Sequence, residues 1–179
     1  MQYAAFFRNV NLGRKNSPTR PQFEKAFLDA GAGSAASFLT NGTLVFTASS
    51  EAKAQRILEK ACALLNDVCN LHEPAYIRSV KYLAELVATD PFASIDPKSV
   101  YACCASFLPA NPATLPKPPF ESKRKDVQVL HIHNADVLSI CHKIGNTPGS
   151  PNAFLEKQLN VPATTRNWNT IVRLVSKFT

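Results

Sequence analysis

Two stretches of this chain repeat each other. Pro74-Ala75-Tyr76-Ile77-Arg78 leads into an apolar run ending Leu86-Val87, and Pro162-Ala163-Thr164-Thr165-Arg166 leads into one ending Leu174-Val175. Each Arg stands four residues after its Pro, and Leu83 and Ile171 each stand nine after it. An extended segment, an Arg and an amphipathic helix therefore recur at one spacing, as in a duplicated fold. The second copy alone carries Arg166-Asn167-Trp168-Asn169-Thr170, the polar segment best suited to be a site.

Periodicity around the repeats reads as β-α-β-β-α-β followed by a helix. Residues 2–7 read as a strand, and Phe23, Ala26, Phe27 and Ala30 share one helical face ahead of a Gly31 cap. Segments 37–40 and 43–47 flank Asn41-Gly42, which suits a tight primed hairpin turn. Ser50 caps a helix whose stripe is Ile57, Leu58, Ala61, Leu64, Leu65 and Val68. A strand at 75–78 and a third helix complete a split βαβ unit. In the second half, 100–107 reads as a strand, 127–133 and 137–142 as a hairpin, and Ser150-Pro151 as the start of a helix to Leu159. A closing helix follows, on which Trp168, Ile171, Val172, Val175 and Phe178 share a face, making Trp168 a core anchor. Pro109, Pro112, Pro116, Pro118 and Pro119 leave room for a loop where the repeat calls for a crossover helix. The expected fold is thus α+β, a tandem duplication of two ferredoxin-like halves: 1–90, a linker at 91–98, and 99–179.

A chain of 179 residues with 45% hydrophobic composition buries a core without help from disulfides. Its five cysteines are odd in number, lack a C-x-x-C pair and sit in apolar segments, pointing to reduced thiols in the cytoplasm. The opening residues lack the basic leader and apolar length of a secretory signal, and no segment reaches the ~20 apolar residues that span a bilayer. No membrane partner is expected. The net charge of +7 is concentrated at the ends, with Arg8, Arg14, Lys15 and Arg20 ahead of the first acid and Lys157, Arg166, Arg173 and Lys177 after the last. Such a surface either attracts phosphates and nucleic acid or simply solubilises the protein.

Familiar chemical motifs fall away. Gly31-Ala32-Gly33 follows a helix and precedes a strand, the reverse of a dinucleotide-binding turn. His131 and His133 share a strand face, but the hairpin carries His142 away from them, so no metal site is expected. No nucleophile elbow, Walker loop or paired carboxylates are visible, and no cofactor is called for.

The remaining candidate is polar. Arg8, Asn11, Gly13, Lys15 and Asn16 lie in a loop leaving the first strand, and Asn167, placed to cap the last helix, stands beside Arg166 and near Asn169. These residues suit an anion; equally, Arg166 and the Asn residues could satisfy carbonyls and helix ends.

At these residues the sequence resembles the bacterial family known as domain of unknown function 1697. The likeness is strongest in Phe154-Leu155-Glu156-Lys157 and Ala163-Thr164-Thr165-Arg166-Asn167-Trp168-Asn169-Thr170, which match the family's closing LEK and ATTRNWNT signature. In the opening loop Arg8, Asn11, Gly13, Lys15 and Asn16 fit R-G-I-N-V-G-G-K-N, with Asn9 and Arg14 in place of glycines. Asn41-Gly42-Thr43 and Asp90-Pro91-Phe92 stand where the family has S-G-N and N-P-F, and Pro151-Asn152 replaces its usual Ser-Lys. The resemblance implies two ferredoxin-like halves and no particular activity.

The expectation is a binding module whose opening loop and closing helix converge on a phosphate-bearing small molecule or nucleic acid. Its alternatives are an enzyme acting on a small anionic metabolite in a cleft between the halves, or a protein-interaction module. Oligomeric state stays open.

Overall fold

The computed structural model describes residues 1–110 and 115–179, and the chain separates into two compact units, Met1–Leu83 and Ala84–Thr179. It is a mixed α/β protein whose sheets are antiparallel throughout.

In the first unit β1 (Gln2–Phe7), α1 (Arg20–Asp29), β2 (Ala35–Phe38), β3 (Thr43–Thr47), α2 (Glu51–Cys69) and β4 (Ala75–Ser79) follow one another, and the sheet order is β2-β3-β1-β4. Strand alternation sends Tyr3, Ala5 and Phe7 to one face of β1, where they join Phe23 and Phe27 of α1 and Ile57, Leu58, Ala61 and Leu65 of α2. Phe7 and Phe23 meet edge to face at 5.0 Å, and Phe23 and Phe27 at 5.9 Å. Each such pair adds about 0.5–1.5 kcal/mol to plain burial. Helix α1 starts on a capping box, Thr19 with Gln22, and Gly31 follows it at φ 103°, where the sequence places a cap. Val68, assigned to the α2 stripe, is instead 52% exposed, because the last turn of that helix runs beyond its buried face.

The β2–β3 hairpin departs from expectation. Phe38 pairs with Thr43, so Leu39–Gly42 form a four-residue connection rather than a two-residue primed turn. Leu39 and Gly42 take positive φ, 60° and 68°, and the connection is held down by Phe7 N–H to Gly42 O (2.8 Å) and Leu12 N–H to Thr40 O (2.8 Å). Bonding to the opening loop decides the turn here, not the local Asn-Gly preference.

Helix α3 (Val80–Ala88) leaves β4, and the division between the units falls within it. The second unit contains β5 (Ala102–Phe107), β6 (Phe120–Glu121), β7 (Val127–His133), β8 (Asp136–Cys141), β9 (Lys143–Ile144), β10 (Thr147–Pro148), α4 (Pro151–Leu159), β11 (Thr164–Asn167) and α5 (Trp168–Phe178). Its main sheet runs β11-β5-β8-β7-β6, with β9 and β10 as a separate ribbon. Read in the same sense, β7-β8-β5-β11 repeats the order β2-β3-β1-β4. Leu155 and Leu159 of α4 bury against Leu108, Val129 and Val137.

No counterpart of α1 appears among the described residues; 115–126 form turns and the short β6, as the prolines foretell. Pro112, part of that expectation, lies outside the described residues. No helix among those described is long and apolar enough to cross a membrane, and no cluster of metal-binding side chains occurs among them.

Candidate functional site

The opening loop hangs between two buried anchors, Val10 and Pro18. Three residues in it take left-handed φ: Asn9 (53°), Gly13 (79°) and Asn16 (56°). Asn tolerates this region better than most residues, and Gly without cost. These reversals let the loop bond to itself: Gly13 N–H to Pro18 O (2.9 Å), Arg14 N–H to Asn11 O (3.0 Å), Ser17 N–H to Arg14 O (3.0 Å), and Asn11 N–H to Ser17 Oγ (3.2 Å). The exposed tip therefore presents Asn11, Gly13, Arg14, Lys15 and Asn16 on an ordered backbone.

Arg8 sits at the root. Its Nη1 donates to Glu73 Oε2 at 2.8 Å, and Asn9 Nδ2 donates to Glu73 Oε1 at 3.0 Å, so one carboxylate holds two consecutive residues where the loop leaves β1. With side chains 25% and 30% exposed, the ion pair contributes about 1 kcal/mol or less. It nonetheless offsets the charge of Arg8, leaving Arg14 and Lys15 as the cations of the tip; neither forms a salt bridge among the described residues.

The other candidates lie in the second unit, at the junction of β11 and α5. Arg166 pairs with Ala105 of β5 and is buried. Its Nη1 donates to Thr164 Oγ1 (2.8 Å) and to the Thr165 carbonyl (2.9 Å), and burial pushes its pKa down to about 10, so it stays charged at neutral pH. Thr165 in turn bonds Ser106 Oγ (2.7 Å) and the Asn152 side chain of α4. Asn167 Oδ1 accepts from Asn169 N–H at 3.0 Å, capping α5, while Asn169 is exposed. Trp168 stands edge-on to Phe92 at 5.3 Å.

Arg78 is the first-unit counterpart of Arg166. It lies opposite Ala4 of β1, and its Nη1 donates to the preceding carbonyl, that of Ile77, at 2.7 Å. At both places an edge-strand Arg lies over a small Ala and bonds back to its own chain. Sequence spacing showed the two arginines as equivalent; the burial of Arg166 had no signal, since an Arg between Thr165 and Asn167 reads as solvent-facing.

Arg8, Asn11, Gly13, Lys15 and Asn16 are thus brought together on one loop, and Arg166, Asn167 and Asn169 on one junction. Arg14 belongs with the first group by geometry although the motif reading passed over it. Glu73 was equally hidden, because Val161 holds its place in the second repeat. A depression of about 390 Å³ lies over Gly31, Gly33, Ser49 and Lys53. At Gly33 an added Cβ would stand 2.8 Å from Thr47 Oγ1, so the Thr47 side chain would have to shift, and the Gly33 N–H pairs with Thr47 O.

A family model described as protein of unknown function (DUF1697) matches residues 1–137, ending short of the LEK and ATTRNWNT segments. A comparison with curated proteins gave no match. Among solved structures, the conserved bacterial protein SP0830 from Streptococcus pneumoniae is similar, with a TM-score of 0.68 at 19% identity over 99% of this chain and 98% of that one. At that identity the likeness concerns the fold.

Proposed function

The chain belongs to the DUF1697 family of proteins of unknown function, and on that footing we propose that it is a cytosolic binding module whose opening loop holds a phosphate-bearing ligand. One observation carries the reading: Arg14 and Lys15 stand exposed on a loop whose backbone is already closed by its own hydrogen bonds. A loop ordered before binding loses less conformational entropy when the ligand arrives. Asn11 and Asn16 flank the cations with amide donors, and Gly13 gives a phosphate close approach to the main chain. In this reading Arg8 positions the root, Arg166 and Asn167 act on the fold through a buried strand and a helix cap, and Asn169 is the solvent-facing member of that junction. The cytosolic assignment rests on five thiols, none in a disulfide.

The same reading takes the two units as a tandem ferredoxin-like duplication. Its support is the shared strand order, the matched register of Arg78 and Arg166, and the helix that follows each. The second copy would then have exchanged its first crossover helix for the proline-rich segment.

Calorimetric titration with pyrophosphate tests the binding claim. Arg14→Ala/Lys15→Ala removes two charge-assisted contacts and is expected to weaken binding at least about tenfold, with the melting temperature unchanged. Unaltered affinity in that variant would refute the loop assignment.

A further inference from the structure

A second basic surface lies in the other unit and shares no residue with the opening loop. Residues 122–126 form a tight turn, closed by Lys125 N–H to Ser122 O (2.8 Å), with Asp126 Oδ1 accepting from Ser122 Oγ (2.6 Å). Lys123, Arg124 and Lys125 all point from it into solvent. Beside it rises the ribbon of β9 and β10, Lys143–Pro148, every residue of which is exposed. Gly145, at φ 60°, occupies the first central position of its two-residue turn, where a II′ hairpin reserves glycine.

Turn and ribbon are joined. His142 N–H donates to Asp126 O (2.9 Å), and Gly149 N–H donates to His142 O (2.9 Å). Gly149 presses so closely on the turn that an added Cβ would overlap the Asp126 carbonyl. The root of the ribbon is therefore fixed against three consecutive cations. Lys143 is held too, its Nζ 4.8 Å from the ring centroid of Tyr101, a residue 54% exposed whose N–H bonds Cys141 O (2.7 Å). Against these four cations stand Glu121, exposed, and Asp126, which is buried and lies 3.5 Å from Arg124 Nε.

We propose that this turn and ribbon form a docking surface for duplex DNA. An exposed two-stranded ribbon flanked by cations matches a groove lined by phosphates. The major groove of B-form DNA is about 12 Å wide and about 8.5 Å deep and admits such a ribbon, whereas the deep, narrow groove of A-form RNA does not. Two residues per strand at about 3.3 Å each, with the two-residue turn Gly145-Asn146 above them, give a height of about 10 Å, comparable to that depth. Lys123, Arg124, Lys125 and Lys143 then meet phosphates, while the small tip, Gly145-Asn146-Thr147, reaches the base edges with an amide and a methyl-bearing hydroxyl. Phosphate contacts supply most of the affinity, so sequence preference is weak.

The proposal is separable from the loop reading because the two share no residue. Fluorescence anisotropy with a labelled 20-base-pair DNA duplex, over a salt series, measures it on the full chain. The wild type is expected to bind with log K falling linearly in log salt. Lys123→Gln/Lys125→Gln/Lys143→Gln should flatten that slope by about 2–3 units and weaken binding at least about tenfold in 50 mM salt, with the circular dichroism spectrum retained. Arg14→Ala/Lys15→Ala should bind the duplex as the wild type does. Absence of binding at 50 mM salt, an unaltered slope in the triple variant, or equal affinity for duplex RNA or for polyglutamate would each overturn the assignment.

Discussion

Replacing Gly42 with Ala tests how the opening loop is held. Gly42 has φ 68°, and a Cβ there would stand 2.7 Å from Val10 Cβ and 3.1 Å from both Phe7 Cβ and Val10 Cγ1. The left-handed backbone alone costs a non-glycine residue about 1–2 kcal/mol. Two of the three contacts fall on Cβ atoms, which the main chain holds in place and which cannot swing aside, and overpacking of that kind adds about 1–3 kcal/mol. The expected total is about 2–5 kcal/mol. Gly13→Ala is the internal comparison: its φ is 79°, but nothing lies within 4 Å of the added methyl, so the backbone cost of about 1–2 kcal/mol stands alone. Urea unfolding followed by far-ultraviolet circular dichroism is the appropriate assay. The single tryptophan, Trp168, lies in the second unit, and its fluorescence would report that unit instead. If Gly42→Ala proves no more destabilising than Gly13→Ala, the packing of the loop root against Val10 and Phe7 has been misread.

Glu73→Gln removes the carboxylate that faces Arg8 and Asn9; the cost to stability should stay below about 1 kcal/mol, and pyrophosphate affinity should rise as the loop gains net positive charge, both read in the titration and unfolding assays above. Burial, with Glu59 adding to it, pushes the Cys62 thiol up to about 11. At pH 8 its iodoacetamide labelling, followed by peptide mass mapping, should run about 100-fold slower than that of an ordinary thiol and rise about tenfold per pH unit to pH 10; labelling at the ordinary rate would contradict that burial. Burial lowers Arg166 from the ordinary guanidinium range to about 10 in the folded protein, so above pH 10 the unfolded chain holds more protons and folding stability gains with rising pH. Urea unfolding at pH 9 and pH 11 should show Arg166→Met losing that gain relative to the wild type, and an unchanged pH response would contradict it.

The strands and helices were legible because their signals are local. Phe23, Ala26, Phe27 and Ala30 mark α1, Ser50 marks the start of α2, and Asn134, at φ 52°, closes the β7–β8 hairpin where the sequence puts a turn. The β9–β10 ribbon was not legible: Lys143–Pro148 is exposed on both faces, so it lacks the alternation that marks a half-buried strand. β6 was hidden for a related reason, since two residues beside a proline run are too few to show a period. In the site, the opening loop announced itself through Gly13 and its cations. The clamp by Glu73 did not, because it joins residues 65 apart in sequence. Arg166 looked available to a ligand, and only the register opposite Ala105 reveals that its guanidinium lies in the sheet's buried surface.

Affinity for pyrophosphate in wild type, Arg14→Ala/Lys15→Ala and Lys123→Gln/Lys125→Gln/Lys143→Gln, compared at one salt concentration, tests the central claim most directly. The account requires wild-type affinity in the second variant and a loss of about tenfold or more in the first. Equal losses in both would mean that net charge, rather than the ordered loop at residues 11–16, attracts the anion, and would contradict it.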